Sequence, residues 1–461
     1  MKGTLPALGL PLTATEIARA VNNRAVSAVD ITRLYLDRIG RVEPALNAFQ
    51  VVRSEKALSE AMDVEGRHDL GELPMAGVPV AVKDNFQVAG EPTRLGSAAS
   101  PSTPAPGDDE LVRRLRQAGA IVIGKTKMPE LAIFGFTESA AYGVTRNPWN
   151  LDKSPGGSTG GGAAAVAGGL APVALGTDGL GSIRGPSNFC GLFGLKPTRG
   201  LLPLMGNLSE HWYGLSVTGP IATTVADTAL MLSVLAGDAS YRDVRLPDRR
   251  LRIALSLKPP TVLAKLAPEI GEALRVAAAA LQQAGHSVKE SDPPYPMNLP
   301  NSVLRLWMAG VAQDARMLNW AQLEKRTRTM ARLGRRLGPG NLRVLARWAT
   351  KSTSWFADFD IALMPVAASR SIPAGGWTGR GFVSTVLSQI RALPYAAPWN
   401  VAGFPAAAVP VGIGPDGVPL GLQMVAQPGS ERLLLALAAE FEHLRPWKRL
   451  ASESVNADRS R

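Results

Sequence analysis

Apolar and polar positions along this chain follow two periods. Thr13-Ala14-Thr15-Glu16 and Ser27-Ala28-Val29-Asp30 each set a hydroxyl three residues before a carboxylate, the pattern of a capping box. Ile31, Leu34, Tyr35 and Ile39 then recur at helical spacing, so the first fifty residues predict two helices. Short apolar runs bounded by turn residues come next: Val78–Val82, Ala120–Ile123, Val173–Leu175, Arg252–Leu257, Ile361–Val366, Ala407–Ile413 and Leu420–Val425. Helical patterns alternate with them at Glu110–Ala118, Val225–Leu235 and Ile270–Ala284. That alternation predicts an α/β fold around one mixed sheet. Residues 293–391 are the least patterned and are expected to lay helices and loops over the sheet. The polar stretch 451–461 is expected to fray.

Composition narrows the class. At 461 residues the chain can form one large domain or two ordinary ones. Hydrophobic residues make up 46% and charged residues 19%, a balance that excludes intrinsic disorder. Cys190 is the only cysteine, which excludes an internal disulfide framework or a multi-cysteine zinc site and suits a reducing, cytoplasmic setting. Pro6 and Pro11 interrupt the N-terminus, so no secretory signal is expected there. The Gly/Ala-rich stretch Gly161–Gly176 is too short and too weakly apolar to cross a bilayer.

The net charge of +12 raises the question of a nucleic-acid partner. Lys325, Arg326, Arg328, Arg332, Arg335, Arg336, Arg343 and Arg347 cluster in one segment. Leu323, Met330, Leu333, Leu337, Leu342 and Leu345 are spaced among them, as in amphipathic helices with a solvated basic face. No binding module or aromatic interleaving accompanies the charge, so no nucleic-acid partner is expected.

Three residues carry the chemistry. Lys83 ends the apolar run Val78-Pro79-Val80-Ala81-Val82. Ser158 lies in Ser154-Pro155-Gly156-Gly157-Ser158-Thr159-Gly160-Gly161. Ser182 lies in Gly176-Thr177-Asp178-Gly179-Leu180-Gly181-Ser182-Ile183-Arg184. Acyl transfer needs a nucleophile, a base and donors aimed at the developing oxyanion. The four histidines sit in unremarkable sequence surroundings, so a histidine triad has no obvious home. A buried lysine can replace histidine if its pKa falls by roughly three units from about 10.4. Taken singly, Lys83 reads first as a strand-end lysine paired with a carboxylate, and Ser158 can be a flexible linker or an anion nest. The serine loop lacks the lysine of a phosphate loop, and Gly160-Gly161-Gly162 has neither the preceding strand nor the later acid of a dinucleotide fingerprint.

The three segments together resemble the amidase signature family. Further matches are Lys125-Thr126-Lys127-Met128-Pro129-Glu130-Leu131, Thr145-Arg146-Asn147-Pro148-Trp149, Cys190 to Thr198, Asn400-Val401-Ala402-Gly403-Phe404-Pro405 and Gly417 to Gln423. The resemblance implies a single domain over 1–450, with a central mixed sheet covered by helices on both faces. It implies an amidase that cleaves carboxamide C–N bonds through a Ser–cisSer–Lys triad and an acyl-enzyme, with aryl amides, esters and carbamates (urethanes) as related substrates. Ser182 would be the nucleophile, Ser158 after a cis peptide from Gly157 the relay, and Lys83 the terminal base. The N–H groups of Gly179, Leu180, Gly181 and Ser182 would form the oxyanion hole. Asp178 and Arg184 would brace the loop, with Thr159 keeping a hydroxyl where a serine is frequent, and Cys190 would be a packed hydrophobe.

Relatives commonly place Gly-Gly before the nucleophile, where this chain has Leu180-Gly181. A positive φ at Leu180 would strain it, and its side chain would reshape the acyl pocket. No metal or cofactor is expected. The partner would be a small-molecule amide, with no membrane attachment, and the protein a monomer or homodimer. Two other functions fit less well: the A subunit of a tRNA-dependent amidotransferase, and a catalytically silent basic binding protein.

Overall fold

The structure, a computed structural model, describes residues 12–451. The N-terminal prolines and the polar stretch beyond Ala451 therefore lie outside the described residues. At Thr13 the capping box closes in both directions and opens the helix Ala14–Asn22. At Ser27 only half of the expected box forms. Ser27 Oγ accepts from the Asp30 N–H, but the reciprocal carboxylate is Glu65, which accepts from the Ser27 hydroxyl and from the Val29 N–H. Glu65 ends the neighbouring helix Ser54–Glu65, so the helix Ala28–Leu46 is capped by tertiary packing.

The strands are β1 (Phe49–Val52), β2 (Pro79–Lys83), β3 (Ile121–Thr126), β4 (Glu138–Ser139), β5 (Gly143–Val144), β6 (Val173–Asp178) and β7 (Phe193–Lys196). They continue as β8 (Val217–Ala222), β9 (Arg252–Leu255), β10 (Ser287–Glu290), β11 (Ile361–Pro365), β12 (Ala406–Ile413) and β13 (Pro419–Val425). All but the short β4–β5 hairpin join one sheet in the order β1-β3-β2-β6-β8-β7-β12-β13-β11-β9-β10. β2 runs parallel to β3 and β6, β9 runs parallel to β10 and β11, and the other pairings are antiparallel. The sheet is mixed, and the fold is α/β.

Period-two alternation along the strands divides the interior. Ile253 and Leu255, Ile361 and Leu363, and Ala407 and Val409 face one apolar cluster, together with the helices Ala14–Asn22, Ala28–Leu46, Val225–Ala236 and Pro268–Gln283. Their neighbours Ala254, Ala362, Met364 and Ala406 face a second cluster on the other side. Helices thus cover both faces. The second cluster draws on the weakly patterned 293–391 segment, which forms the helices Leu299–Asp314, Lys325–Leu337, Arg343–Trp355 and Phe382–Ala392.

One expectation for that segment is corrected. Arg326 does not join the solvated basic face: it is buried, paired with Glu324 at 2.7 Å, and its guanidinium lies 5.0 Å from the centre of the Phe134 ring. The Trp377 carbonyl takes one of its N–H groups, and these partners stabilise the charge away from water. Arg332 and Arg335 also depart from a simple solvated stripe by stacking on Trp320.

Candidate active site

The sheet builds the site at the C-terminal ends of two adjacent parallel strands. β2 and β6 pair through Val80 with Val173, Ala81 with Ala174 and Val82 with Leu175. Because both run the same way, Lys83 and Thr177 emerge together. Lys83 Nζ donates to Thr177 Oγ1 and to Ser158 Oγ, each at 2.7 Å. Lys83 is fully buried. Burial lowers its pKa from 10.5 to about 7, with the nearby Asp178 charge pulling in the opposite direction.

Ser158 reaches Lys83 from a loop that leads into the buried helix Gly160–Ala167. The Gly157–Ser158 peptide is cis. Gly157 lies against the backbone of Phe134 and Phe136, and a Cβ there would stand 2.5 Å from the Phe134 carbonyl oxygen. No larger residue fits without moving that chain. Thr159 ties this loop to the next: its N–H donates to the Ser182 carbonyl and its hydroxyl to the Thr177 carbonyl, both at 3.1 Å.

Ser182 stands in the turn between β6 and the helix Arg184–Cys190, half-buried, on the wall of a cavity. The turn is held from behind. Asp178 accepts two hydrogen bonds at 3.0 Å from the Arg184 guanidinium, and both residues are fully buried. Asp178 also accepts from the Ile183 N–H and from Asn400 Nδ2. Burial alone would raise the Asp178 pKa, but the Arg184 charge and these donors override it and hold the carboxyl far below the usual range. Arg184 is completed by the Ala396 carbonyl and Gln423 Oε1 at 3.0 Å, and by Asn400 Oδ1 at 2.5 Å.

This bracing corrects one expectation for the oxyanion loop. The Gly181 N–H donates to Asp178 Oδ1 at 2.7 Å, so the buried carboxylate already takes this donor. Among the described residues the N–H groups of Gly179, Leu180 and Ser182 take no such partner. The strain foreseen at Leu180 does not arise either. The positive φ, 117°, falls on Gly181, where glycine adopts it freely. Leu180 keeps ordinary backbone geometry and lines the cavity.

Replacing Asp178 by alanine would leave Arg184 charged and buried with no carboxylate. The expected cost is about 3–5 kcal/mol of stability. It is measured as a lowered urea midpoint, against a far smaller change for an exposed Asp63→Ala control.

Several participants lie in segments the sequence singles out but have no role that it reveals. Thr177 is the second partner of Lys83, and its Oγ1 also accepts from Asn85 Nδ2 at 3.1 Å. Asn400 and Gln423 reach the site from more than two hundred residues away. His211 is not in unremarkable surroundings: Nδ1 lies 2.7 Å from Ser216 Oγ and Nε2 3.2 Å from Asp314. Asp314 also accepts from Trp212 Nε1, and the Trp212 ring lies against Gly179, so this cluster backs the oxyanion loop.

Burial by itself does not make a base. Lys196 is also fully buried with its pKa lowered to about 7, first by desolvation and then by Arg184. Its Nζ donates to the adjacent Pro197 carbonyl, with no serine hydroxyl in the pair. Lys125 pairs with Asp84 at 2.7 Å. Cys190 is buried, and burial raises its thiol pKa, as for a packed hydrophobe.

The cavity beside Ser182 is walled by apolar side chains such as Phe134, Leu180, Trp212, Leu299 and Trp307, and none of its lining residues carries a formal charge. A small uncharged molecule with a substantial apolar part fits this lining.

The amidase family model matches residues 30–435. The chain belongs to the amidase family, and its fold is that of the amidase signature enzymes. A protein of Mycobacterium tuberculosis named "Putative amidase AmiB2" is 44% identical over 443 residues, covering 93% of this chain and 95% of its own. The acylamidase of Rhodococcus erythropolis is 34% identical over 464 residues, covering 95% of this chain and 96% of its own. The structure of 6-aminohexanoate cyclic dimer hydrolase complexed with substrate superposes with a TM-score of 0.88 at 30% identity, covering 95% of this chain and 97% of that one. The protein is thus an amidase-signature hydrolase of amide C–N bonds. No helix among the described residues is long and apolar enough to cross a membrane.

Proposed function

We propose that the protein hydrolyses uncharged acyl and aryl amides through an acyl-enzyme on Ser182. In this reading Ser182 Oγ attacks the carbonyl carbon. Its proton passes to Ser158 Oγ as the Ser158 proton passes to neutral Lys83 Nζ. The N–H groups of Gly179, Leu180 and Ser182 receive the developing oxyanion. Collapse breaks the C–N bond, and the departing amine takes the proton back through the same relay. Water then attacks the ester and gives its proton to Lys83, the proton returns through the relay to Ser182 Oγ as the C–O bond breaks, and the carboxylic acid leaves. The same steps apply to esters and carbamates, whose carbonyl carbons accept the same attack.

The observation that carries this reading is the Lys83 amine, buried and held at 2.7 Å from Ser158 Oγ beside the Ser182 turn. The acylamidase relative, the cyclic dimer hydrolase and a bacterial aryl acylamidase of TM-score 0.84 and 26% identity support the substrate class. The uncharged lining favours this class over the A subunit of a tRNA-dependent amidotransferase, whose glutamine would bring two charges into the cavity.

A serine-directed fluorophosphonate tests the assignment. It is expected to label Ser182 alone and to abolish release of aniline from acyl anilides in step with labelling. An adduct mapped to another serine, or activity that survives complete labelling, would remove Ser182 from the nucleophile's role.

A further inference from the structure

Two hydrogen-bond donors on the cavity wall have no partner among the described residues. Trp307 and Gln389 are 6% and 7% exposed, and both line the cavity that holds Ser182. Trp307 Nε1 and Gln389 Nε2 are shielded from solvent and make no hydrogen bond among the described residues. The orientation of the Gln389 amide follows from what it touches. Gln389 Oε1 accepts from the Gly135 N–H at 2.8 Å, so the amide is turned with its oxygen to the backbone and Nε2 is the free end. The Phe134 ring stands edge-on to Trp307, with centroids 6.0 Å apart. One short strip therefore holds both donors, and the same strip packs against Gly157, the residue before Ser158. An unpaired buried donor is unfavourable in the free protein, and a ligand that supplies the acceptor recovers that loss on binding.

The lining carries no cation that would neutralise a carboxylate and no carboxylate that would hold an ammonium. The acceptor is therefore neutral. We propose that Trp307 and Gln389 are specificity-determining residues that bind a second carbonyl of the substrate, apart from the scissile one. The preferred substrate is then an uncharged diamide or a comparable amide with a further carbonyl. This rests on the hydrolytic reading above and adds what that reading leaves open, the feature by which one neutral amide is chosen over another.

The test compares kcat/KM for three anilides by aniline or aminobenzamide release: N-phenylhexanamide, the monoanilide of adipamide with a carbamoyl group on its acyl chain, and 4-hexanamidobenzamide with the carbamoyl group on the amine. The wild-type enzyme is expected to favour one of the two carbamoyl substrates over the plain anilide by about tenfold or more. Trp307→Phe keeps the aromatic contact with Phe134, and Gln389→Met keeps the side chain's length. Each is expected to cut the preference for the favoured substrate over the plain anilide, read as the ratio of their kcat/KM values, by about tenfold. An equal fall for all three substrates in both variants would mark the residues as structural and overturn the proposal. So would a wild-type enzyme indifferent to the carbamoyl group. If no substrate were cleaved and Ser182 took no fluorophosphonate, the proposal and the Ser182 mechanism beneath it would both fall.

Discussion

Ser182→Ala is expected to lower kcat on an acyl anilide by about four powers of ten or more, with no comparable change in stability. The size of the loss follows from the removal of the group that forms the acyl bond. In serine hydrolases the donors and the binding pocket alone retain only a small residue of the rate. The N–H groups of Gly179 and Leu180 and the apolar wall remain in the variant, so substrate affinity is expected to change little. The stability expectation comes from the side chain's surroundings. Ser182 Oγ has no hydrogen-bond partner within the described residues, so alanine strands no buried donor or acceptor. A urea midpoint shifted by more than about 1 kcal/mol would show that the hydroxyl is structural. Turnover within tenfold of wild type would require another nucleophile, and the relay through Ser158 would lose its purpose.

Local pattern carried the sheet well where strands were short, apolar and bounded by turns. The four sheet strands it did not reveal each break that pattern. β8 contains Gly219-Pro220 in its interior, β10 is a polar edge strand with Lys289 and Glu290 exposed, β7 is interrupted by Gly194, and β1 is a four-residue edge with a bulge. The helices of residues 293–391 pack through scattered tryptophans, Trp307 and Trp348 among them, and not through an even aliphatic stripe. At the site, Lys83, Ser158 and Ser182 were legible because each sits in a run whose composition already implies its backbone: an apolar strand end, a glycine loop and a glycine turn. Thr177 stands in the same glycine-rich run as Ser182, yet its role is not legible there, because only the parallel pairing of β2 with β6 brings its hydroxyl to Lys83. Arg326 reads as one more surface cation until Glu324, Phe134 and the Trp377 carbonyl are seen around it. Contacts of that kind are set by tertiary packing, and no local window contains them.

Lys83→Met is expected to abolish turnover by at least two or three powers of ten while making the protein more stable at neutral pH. The activity loss follows from the relay: Ser158 would have no base behind it, and proton removal from Ser182 would fall to solvent. In the wild-type enzyme the same base sets the pH profile. With a pKa of about 7, Lys83 is neutral above that value and protonated below it. kcat/KM is therefore expected to be flat at alkaline pH and to fall about tenfold per unit well below pH 7. The stability gain follows from the sign of the same shift. The native pKa lies below the unfolded value of about 10.5. Below pH 7 both states hold the proton, and the buried ammonium destabilises the native state to the full extent of the shift. Between pH 7 and about 10.5 only the unfolded state holds it, so wild-type stability rises with pH across that window. At about 1.4 kcal/mol per unit, the displacement amounts to roughly 5 kcal/mol. The lost hydrogen bonds to Ser158 and Thr177 subtract about 1 kcal/mol each. Urea unfolding of Lys83→Met beside wild type is expected to show a gain of roughly 2–3 kcal/mol at pH 6–7 that shrinks as pH rises, vanishes near about pH 9 and becomes a loss by pH 10. A difference that stayed constant with pH, or a wild-type rate unchanged from pH 9 to pH 5, would mean that Lys83 keeps its proton throughout and is not the base.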